Sequence, residues 1–117
     1  MITLKINLEY RKGIIFLRII GSLTRRNVSK LEDKINQLIL DEQFTNIVIN
    51  LDGVRDIDMK GISILYYIYE ITKKNVGEIL LCLSNNSKVR EILRNQKILN
   101  YITEIYSEIQ AFNIIKV

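Results

Sequence analysis

Strictly alternating apolar and polar positions open the chain. In residues 2–10, ITLKINLEY, every second residue is apolar, as in an edge strand with one buried face. That face carries Ile2, Leu4, Ile6, Leu8 and Tyr10. A short turn at residues 11–13 contains a glycine, and GIIFLRII (13–20) follows as a second strand that is apolar on both faces. The pattern predicts an antiparallel β-hairpin.

Helical and strand patterns alternate through the rest of the chain. Apolar residues at three- and four-residue intervals predict an amphipathic helix over about residues 26–42, with Asn27 or Thr24 as its N-cap. The later elements are a buried strand at 46–51, a helix at 59–74, a buried strand at 78–83, a helix at 87–95, a weak strand at 101–106 and a final helix at 107–116. This order predicts an α/β fold with a mixed, mostly parallel sheet of four to five strands, about four helices and an antiparallel first strand.

Length and composition favour one domain over residues 1–117. The chain is 48% hydrophobic, contains no proline, and has no linker-like or repeated segment. No apolar run is long enough to span a bilayer and the first residues are unlike a signal peptide, so we expect a cytoplasmic protein without membrane insertion. The absence of histidine excludes histidine triads and most zinc sites. Cys82 lies between two leucines, which predicts a buried thiol.

The net charge of +4 does not indicate a nucleic-acid-binding protein. The 17 basic residues are scattered among 13 acidic ones and do not form a basic stripe with interleaved aromatics. We therefore expect no nucleic-acid partner.

Three acidic residues, Asp52, Asp56 and Asp58, follow the strand at 46–51, where the carboxyl ends of parallel strands gather function. A response-regulator receiver would need a pair of carboxylates after its first strand, but that strand ends in Tyr10, Arg11 and Lys12. An enzyme would need an activated nucleophile or a nucleotide-binding loop, and neither motif is present. Aspartates in a turn more often cap helices and bind backbone groups, so we expect no enzyme, cofactor or metal site.

Three segments carry a resemblance to a known family. Residues 47–65, IVINLDGVRDIDMKGISIL, are similar to the strand, turn and helix of STAS domains, the family of anti-sigma factor antagonists, whose pattern is VVLDLSGV followed by FIDSSGLGVL. Residues 13–35 resemble the family's second strand and its GELD turn into the first helix. Residues 85–112 resemble its closing helix, strand and helix. The resemblance covers essentially the whole chain and implies a STAS fold.

The resemblance also implies a partner and a site. STAS domains of this kind bind an anti-sigma factor, itself a serine kinase, and phosphorylation of one serine in the turn ends that binding. On the matching positions, Asp58 stands at the family's aspartate, Met59 at the first serine, Lys60 at the phosphorylated serine and Gly61 at the glycine. Thr24 replaces the acidic residue of the GELD turn. The implied partner-binding residues therefore include Thr24, Asp58, Met59, Lys60 and Gly61, while Lys60 cannot be phosphorylated as a serine.

Other features of the predicted helix at 59–74 leave alternatives open. Asp58 is placed to be its N-cap, which would be a structural role and not a partner contact. Ser63 or Thr24 could be a displaced phosphoacceptor, although a helical serine more often bonds back to the backbone. The helix is apolar almost all round, so Tyr66 or Tyr69 is expected at a partner-binding or homodimer surface, or else packed under the last helix.

Two functions stay open from the sequence. One is antagonism of an anti-sigma factor without serine phosphorylation at this turn. The other is a STAS subunit of a different assembly, such as a lipid-transport ABC system or a stress-sensing complex. The missing serine gives weight to the second.

Overall fold

A five-stranded mixed sheet forms the centre of the computed structural model, which describes residues 3–116. The strands are β1 (Leu4–Arg11), β2 (Ile14–Leu23), β3 (Asn46–Ile57), β4 (Glu78–Cys82) and β5 (Thr103–Ile105). The helices are α1 (Val28–Asn36), α2 (Met59–Lys74), α3 (Ser87–Asn95) and α4 (Ala111–Ile114). The strands lie side by side in chain order, with β1 antiparallel to β2 and every other pair parallel. The predicted fold class is confirmed.

The opening hairpin forms as predicted, because Lys12 and Gly13 both take positive φ (51° and 87°), the backbone that tight hairpin turns require. Strand β1 lies at the edge of the sheet. The prediction that its alternate apolar residues form one buried face is only partly right. Leu4 is buried, but Leu8 and Tyr10 are 43% and 54% exposed because the edge extends beyond its covering. Ile2, the first residue of the predicted strand, lies outside the described residues.

The two faces of the sheet are covered unequally. Helices α1, α2 and α3 pack on one face, over a core that includes Leu17, Ile49 and Leu81. The other face is covered by α4 and the residue after it, over a smaller cluster that includes Phe16 and Cys82. Burial on both faces of β2 therefore holds for residues 14–17 but not at its far end, where Ile20 is 42% exposed.

An ionic network fastens the C-terminal segment to this second face. Arg18 donates to both carboxylate oxygens of Glu108 at 2.9 and 2.7 Å and to Glu9 at 2.7 Å, and Asn50 also donates to Glu108 at 2.9 Å. The Arg18 hydrogen bond lowers the pKa of Glu108 despite partial desolvation, and Glu108 and then Glu9 raise the pKa of Arg18. The network holds the turn before α4 against the sheet.

The helix predicted at 26–42 is less regular than expected. It begins at Val28, and its last turn widens into a π-helical turn, Gln37–Asp41. Asn27 occupies the N-cap position, but its side chain accepts the backbone N–H of Thr24 at 2.9 Å and does not cap a helical N–H. Near the C-terminus, the predicted strand shrinks to β5, and the predicted final helix consists of a 3-10 turn, Glu108–Gln110, followed by α4.

Strands β2 and β3 are longer than the apolar pattern predicts. Residues 21–23, expected in a loop, belong to β2, and residues 52–57, expected in a charged turn, belong to β3. The two strands stay paired to their ends, where Leu23 lies opposite Ile57, with irregular register in between. In this extension Leu23 and Val54 are buried, whereas the charged residues Arg55 and Asp56 are exposed.

Candidate partner-binding site

Asp58 joins the two chain segments that meet at the carboxyl ends of β2 and β3. Its Oδ1 accepts the backbone N–H of Gly61 at 2.9 Å, which caps α2, and its Oδ2 accepts the backbone N–H of Arg25 at 2.9 Å. Partial desolvation acts to raise the pKa of Asp58, but the N–H groups of Arg25, Gly61 and Lys60 together lower it. The carboxylate therefore stays ionised and holds the start of α2 against the segment that leads into α1.

Gly61 allows α2 to begin close to the sheet. A Cβ atom at this position would lie 2.3 Å from the backbone oxygen of Leu23 and 2.6 Å from Cγ1 of Ile57. Those distances are far below any tolerated contact, so the first turn of the helix can approach β2 this closely only with glycine. The position of the helix start is thus set by backbone contacts.

An open cleft of about 600 Å³ lies over this junction. It is lined by Thr24, Arg25, Arg26, Asp58, Met59 and Lys60, which we call the cleft residues. All of them except the half-buried Thr24 are exposed, and Met59 is 60% exposed. The lining contains three basic residues, Arg25, Arg26 and Lys60, and none of them forms an ion pair within residues 3–116. Among the lining residues, Asp58 is the one acidic residue. The cleft is therefore open, basic and partly apolar.

The structure brings most of the predicted site residues together. Thr24, Asp58, Met59 and Lys60 all line the cleft, and Gly61 lies directly behind it. Arg25 and Arg26 are also part of the lining, although they are not among the residues predicted from the sequence. Their signal was available, because they follow Thr24 in the segment predicted to lead into the first helix.

Tyr66 lies away from the cleft. Its hydroxyl donates to the backbone oxygen of Gln96 at 2.9 Å, and its ring packs edge-on against Tyr101 with ring centroids 5.7 Å apart. Desolvation and the neighbouring Tyr101 raise its pKa. Tyr69 makes a similar edge contact with Tyr101 at 5.8 Å. Both rings are half-buried beneath the segment that follows α3, and not beneath the last helix.

The three aspartates of the predicted carboxylate cluster have separate partners. Asp52 accepts Ser84 Oγ at 2.7 Å and the backbone N–H of Asn85 at 3.0 Å, which ties β3 to the loop after β4. Asp56 accepts Ser22 Oγ at 3.2 Å and pairs with Lys88 at 3.4 Å. Asp58 caps α2. Over residues 3–116 no group of three histidine, cysteine or acidic side chains is arranged to hold a metal ion.

The two hydroxyl groups near Lys60 are poorly presented. Ser63 is exposed, but its Oγ donates to the backbone oxygen of Met59 at 2.9 Å, as expected of a helical serine. Thr24 Oγ1 is buried and has no hydrogen-bond partner among residues 3–116. Neither hydroxyl is a free group at the mouth of the cleft.

Comparison with known families decides the identity. The STAS domain model matches residues 5–112. The chain belongs to the STAS domain family.

Solved structures support the same fold for this STAS domain. An anti-sigma factor antagonist from Mycobacterium paratuberculosis is similar with a TM-score of 0.80 and 18% identity, over 97% of this chain and 94% of that one. The Bacillus cell fate determinant SpoIIAA, in its phosphorylated form, gives a TM-score of 0.72 and 17% identity, over 94% and 98% of the two chains.

A protein of a different kind shares the fold as well. A sulfate transporter family protein from Wolinella succinogenes is similar with a TM-score of 0.72 and 14% identity, over 91% of this chain and 87% of that one. In this STAS domain, no helix within residues 3–116 has the length and hydrophobicity of a membrane span. The fold is thus shared by antagonists and by a transporter-family protein, and fold alone does not choose between them.

The start of α2 has no hydroxyl at its first two positions. Met59 and Lys60 occupy these positions, and the exposed Arg25 and Arg26 follow the end of β2. The site therefore presents a thioether and three positive charges.

Proposed function

We propose that this STAS domain is a non-enzymatic, cytoplasmic interaction module that binds a partner protein, an anti-sigma factor with serine kinase activity, through the cleft residues. The observation that carries the proposal is the convergence of Asp58, Met59 and Lys60 with the end of β2 in one open cleft. By the sequence resemblance, Asp58, Met59 and Lys60 correspond to the family's partner-binding turn.

The chemistry of the cleft supports a protein partner. Methionine and arginine are both enriched in protein interfaces, and Met59 is 60% exposed with no role in the core. The three cations have no ion-pair partner within residues 3–116, so an approaching acidic group need not displace an existing contact. The cleft is also held in shape by Asp58 before any partner binds.

We further propose that phosphorylation of the turn does not control this binding. A phosphoserine brings about two negative charges and lysine one positive charge, a difference of about three units at this point. Against a partner charge about 6 Å away, in the dielectric of water, that difference amounts to about 2 kcal/mol, or about thirtyfold in affinity. Lys60 therefore does not imitate a phosphorylated state, and binding is constitutive or controlled on the partner's side.

Two measurements test the proposal. The chain is incubated with ATP and the serine kinase that co-purifies with it, and any phosphate is located by mass spectrometry. Stoichiometric phosphorylation of Ser63 or Thr24 would contradict the proposal that phosphorylation does not control partner binding. Affinity for the co-purified partner is then compared between the native chain and Lys60→Glu, with Lys74→Glu as control, because Lys74 is exposed at the far end of the same helix.

The expected result of the affinity measurement follows from the change in charge at position 60. Lys60→Glu changes the local charge by two units, which corresponds to about tenfold weaker binding to an acidic face. Lys74→Glu should leave the affinity unchanged. Equal effects of the two substitutions would show that the cleft is not part of the partner-binding interface.

A second assignment has its own supporting observations. Similarity to the sulfate transporter family protein, together with the absence of a hydroxyl at Met59 and Lys60, favours a STAS subunit of another assembly, such as a lipid-transport ABC system or a stress-sensing complex. The protein that co-purifies with the native chain distinguishes the two: a serine kinase supports the antagonist, and a transport ATPase or a larger multi-protein complex supports the subunit.

A further inference from the structure

The outer edge of β1 offers a regular row of backbone groups. Ser22 N–H donates to Thr3 O, so Thr3 and Ser22 form a hydrogen-bonded pair of the β1–β2 ladder. Hydrogen-bonded and non-bonded pairs alternate along an antiparallel ladder, and the β1–β2 register has no irregularity. The N–H and C=O groups that point away from β2 therefore belong to Leu4, Ile6, Leu8 and Tyr10. The bond from Lys30 Nζ to Leu4 O, 2.7 Å long, agrees with this direction.

This edge lacks most of the features that prevent an edge strand from pairing with a strand of another molecule. The strand is eight residues long, has no proline and no bulge, and carries two exposed apolar side chains, Leu8 and Tyr10. Apart from Leu4 O, no outward backbone group of the strand has a partner within residues 3–116. Lys30 is exposed and its contact takes one lone pair of that oxygen, so it can remain or move aside.

One antiparallel register satisfies both the backbone and the side chains of two copies. If Asn7 of each copy lies on a two-fold axis, Ile6 faces Leu8 and Leu4 faces Tyr10. All four residues direct their backbone N–H and C=O groups away from β2, so each facing pair can exchange two hydrogen bonds. On the other face of the strand, Lys5 lies opposite Glu9 twice and the two Asn7 side chains lie opposite each other. Shifting the axis to residue 8 instead would set Lys5 against Arg11, a like-charged pair.

We propose that β1 is a homodimer interface, in which two copies of this chain join their sheets through antiparallel β1 strands with Asn7 on the two-fold axis. Opposite charges at Lys5 and Glu9 select the register, and Leu8 of each copy is covered by Ile6 of the other. The cleft residues take no part in this interface, so each subunit keeps its cleft free.

The first test is the mass of the chain in solution by sedimentation equilibrium. The native chain should have twice its 13.7 kDa mass. Leu8→Pro removes an outward N–H and no bond to β2, so it should give a folded monomer. Asn7→Glu places two negative charges opposite each other on the two-fold axis, so it should weaken the dimer about fivefold. It should not destabilise the monomer, because the cross-strand neighbour of residue 7 within the hairpin is Arg18.

The second test fixes the register by cysteine crosslinking. Asn7→Cys places two thiols at a non-bonded pair about 4.5 Å apart between Cα atoms, a separation that a disulfide spans. It should form a covalent dimer under mild oxidation, while Lys5→Cys, whose two copies would lie about 13 Å apart, should not. The native Cys82 is buried and should not interfere. A monomeric native chain, or crosslinking through Lys5→Cys in place of Asn7→Cys, overturns the proposal.

Discussion

Replacing Asp58 by asparagine tests the junction on which the cleft depends. Asparagine keeps an oxygen that can cap α2 at Gly61, but its amide would face the backbone N–H of Arg25, which now donates to the carboxylate at 2.9 Å. The substitution therefore removes one charge-assisted hydrogen bond and the favourable charge at the start of the helix.

The expected loss of stability is modest because the site is exposed. The charge at a helix N-terminus contributes about 0.3 to 1 kcal/mol, and an exposed hydrogen bond contributes a similar amount after solvent screening. Asp58→Asn should lower the free energy of unfolding by about 1 kcal/mol, which corresponds to a fall in Tm of about 5 °C for a domain of this size. Asp33→Asn is the matched control, since Asp33 is exposed within α1 and has no ion pair within residues 3–116.

The pH dependence provides a sharper check than the size of the effect. The pKa of Asp58 in the folded protein lies below its ordinary value of 3.8, so its stabilisation is complete above that value and is lost as the pH falls through the folded pKa. The difference between the native chain and Asp58→Asn, measured by urea unfolding, should be constant from about pH 7 to 5 and shrink towards about pH 3. A difference that grows on acidification, or that equals the Asp33→Asn difference at every pH, would refute the assigned role.

Three further substitutions or measurements follow from the described contacts. Gly61→Ala gains about 1 kcal/mol in helix propensity but forces a Cβ to within 2.3 Å of Leu23 O, so we expect a net loss of about 2 kcal/mol in urea unfolding; a stabilised variant would contradict this. Tyr66→Phe removes the bond to Gln96 O and should cost about 1 kcal/mol without changing partner affinity, which a binding titration checks. Burial, and then the charge of Asp52, raise the pKa of Cys82 to about 11, so iodoacetamide at pH 8 should modify it only after unfolding, and rapid native labelling would contradict the burial.

The helix that carries the site could be predicted to its last residue. Asp58 before the apolar run marks the N-cap, and Lys73 and Lys74 before Asn75 mark the end, so the bounds predicted at 59–74 agree with α2. Local signals sufficed because capping and helix periodicity depend on residues within a few positions of one another. The same is true of the turn at Lys12 and Gly13.

The features that were missed depend on distant partners. The apolar run of β3 ends at Leu51, yet the strand continues because its backbone pairs with β2 as far as Ile57, and nothing local shows that pairing. Tyr66 and Tyr69 are covered by Tyr101, a residue in an irregular segment far along the chain. A hydrophobic pattern shows that a helix is apolar all round, but it does not show which segment covers it.

The backbone contact at Gly61 separates the shape of the cleft from its chemistry. Gly61, the Leu23 carbonyl and the Asp58 cap set the position of α2. The exposed side chains of the cleft, Arg25, Arg26, Met59 and Lys60, therefore contribute little to the stability of the fold. Such residues can be exchanged in evolution, or by engineering, at small cost to folding. A new partner preference could then arise on an unchanged scaffold through a few surface substitutions.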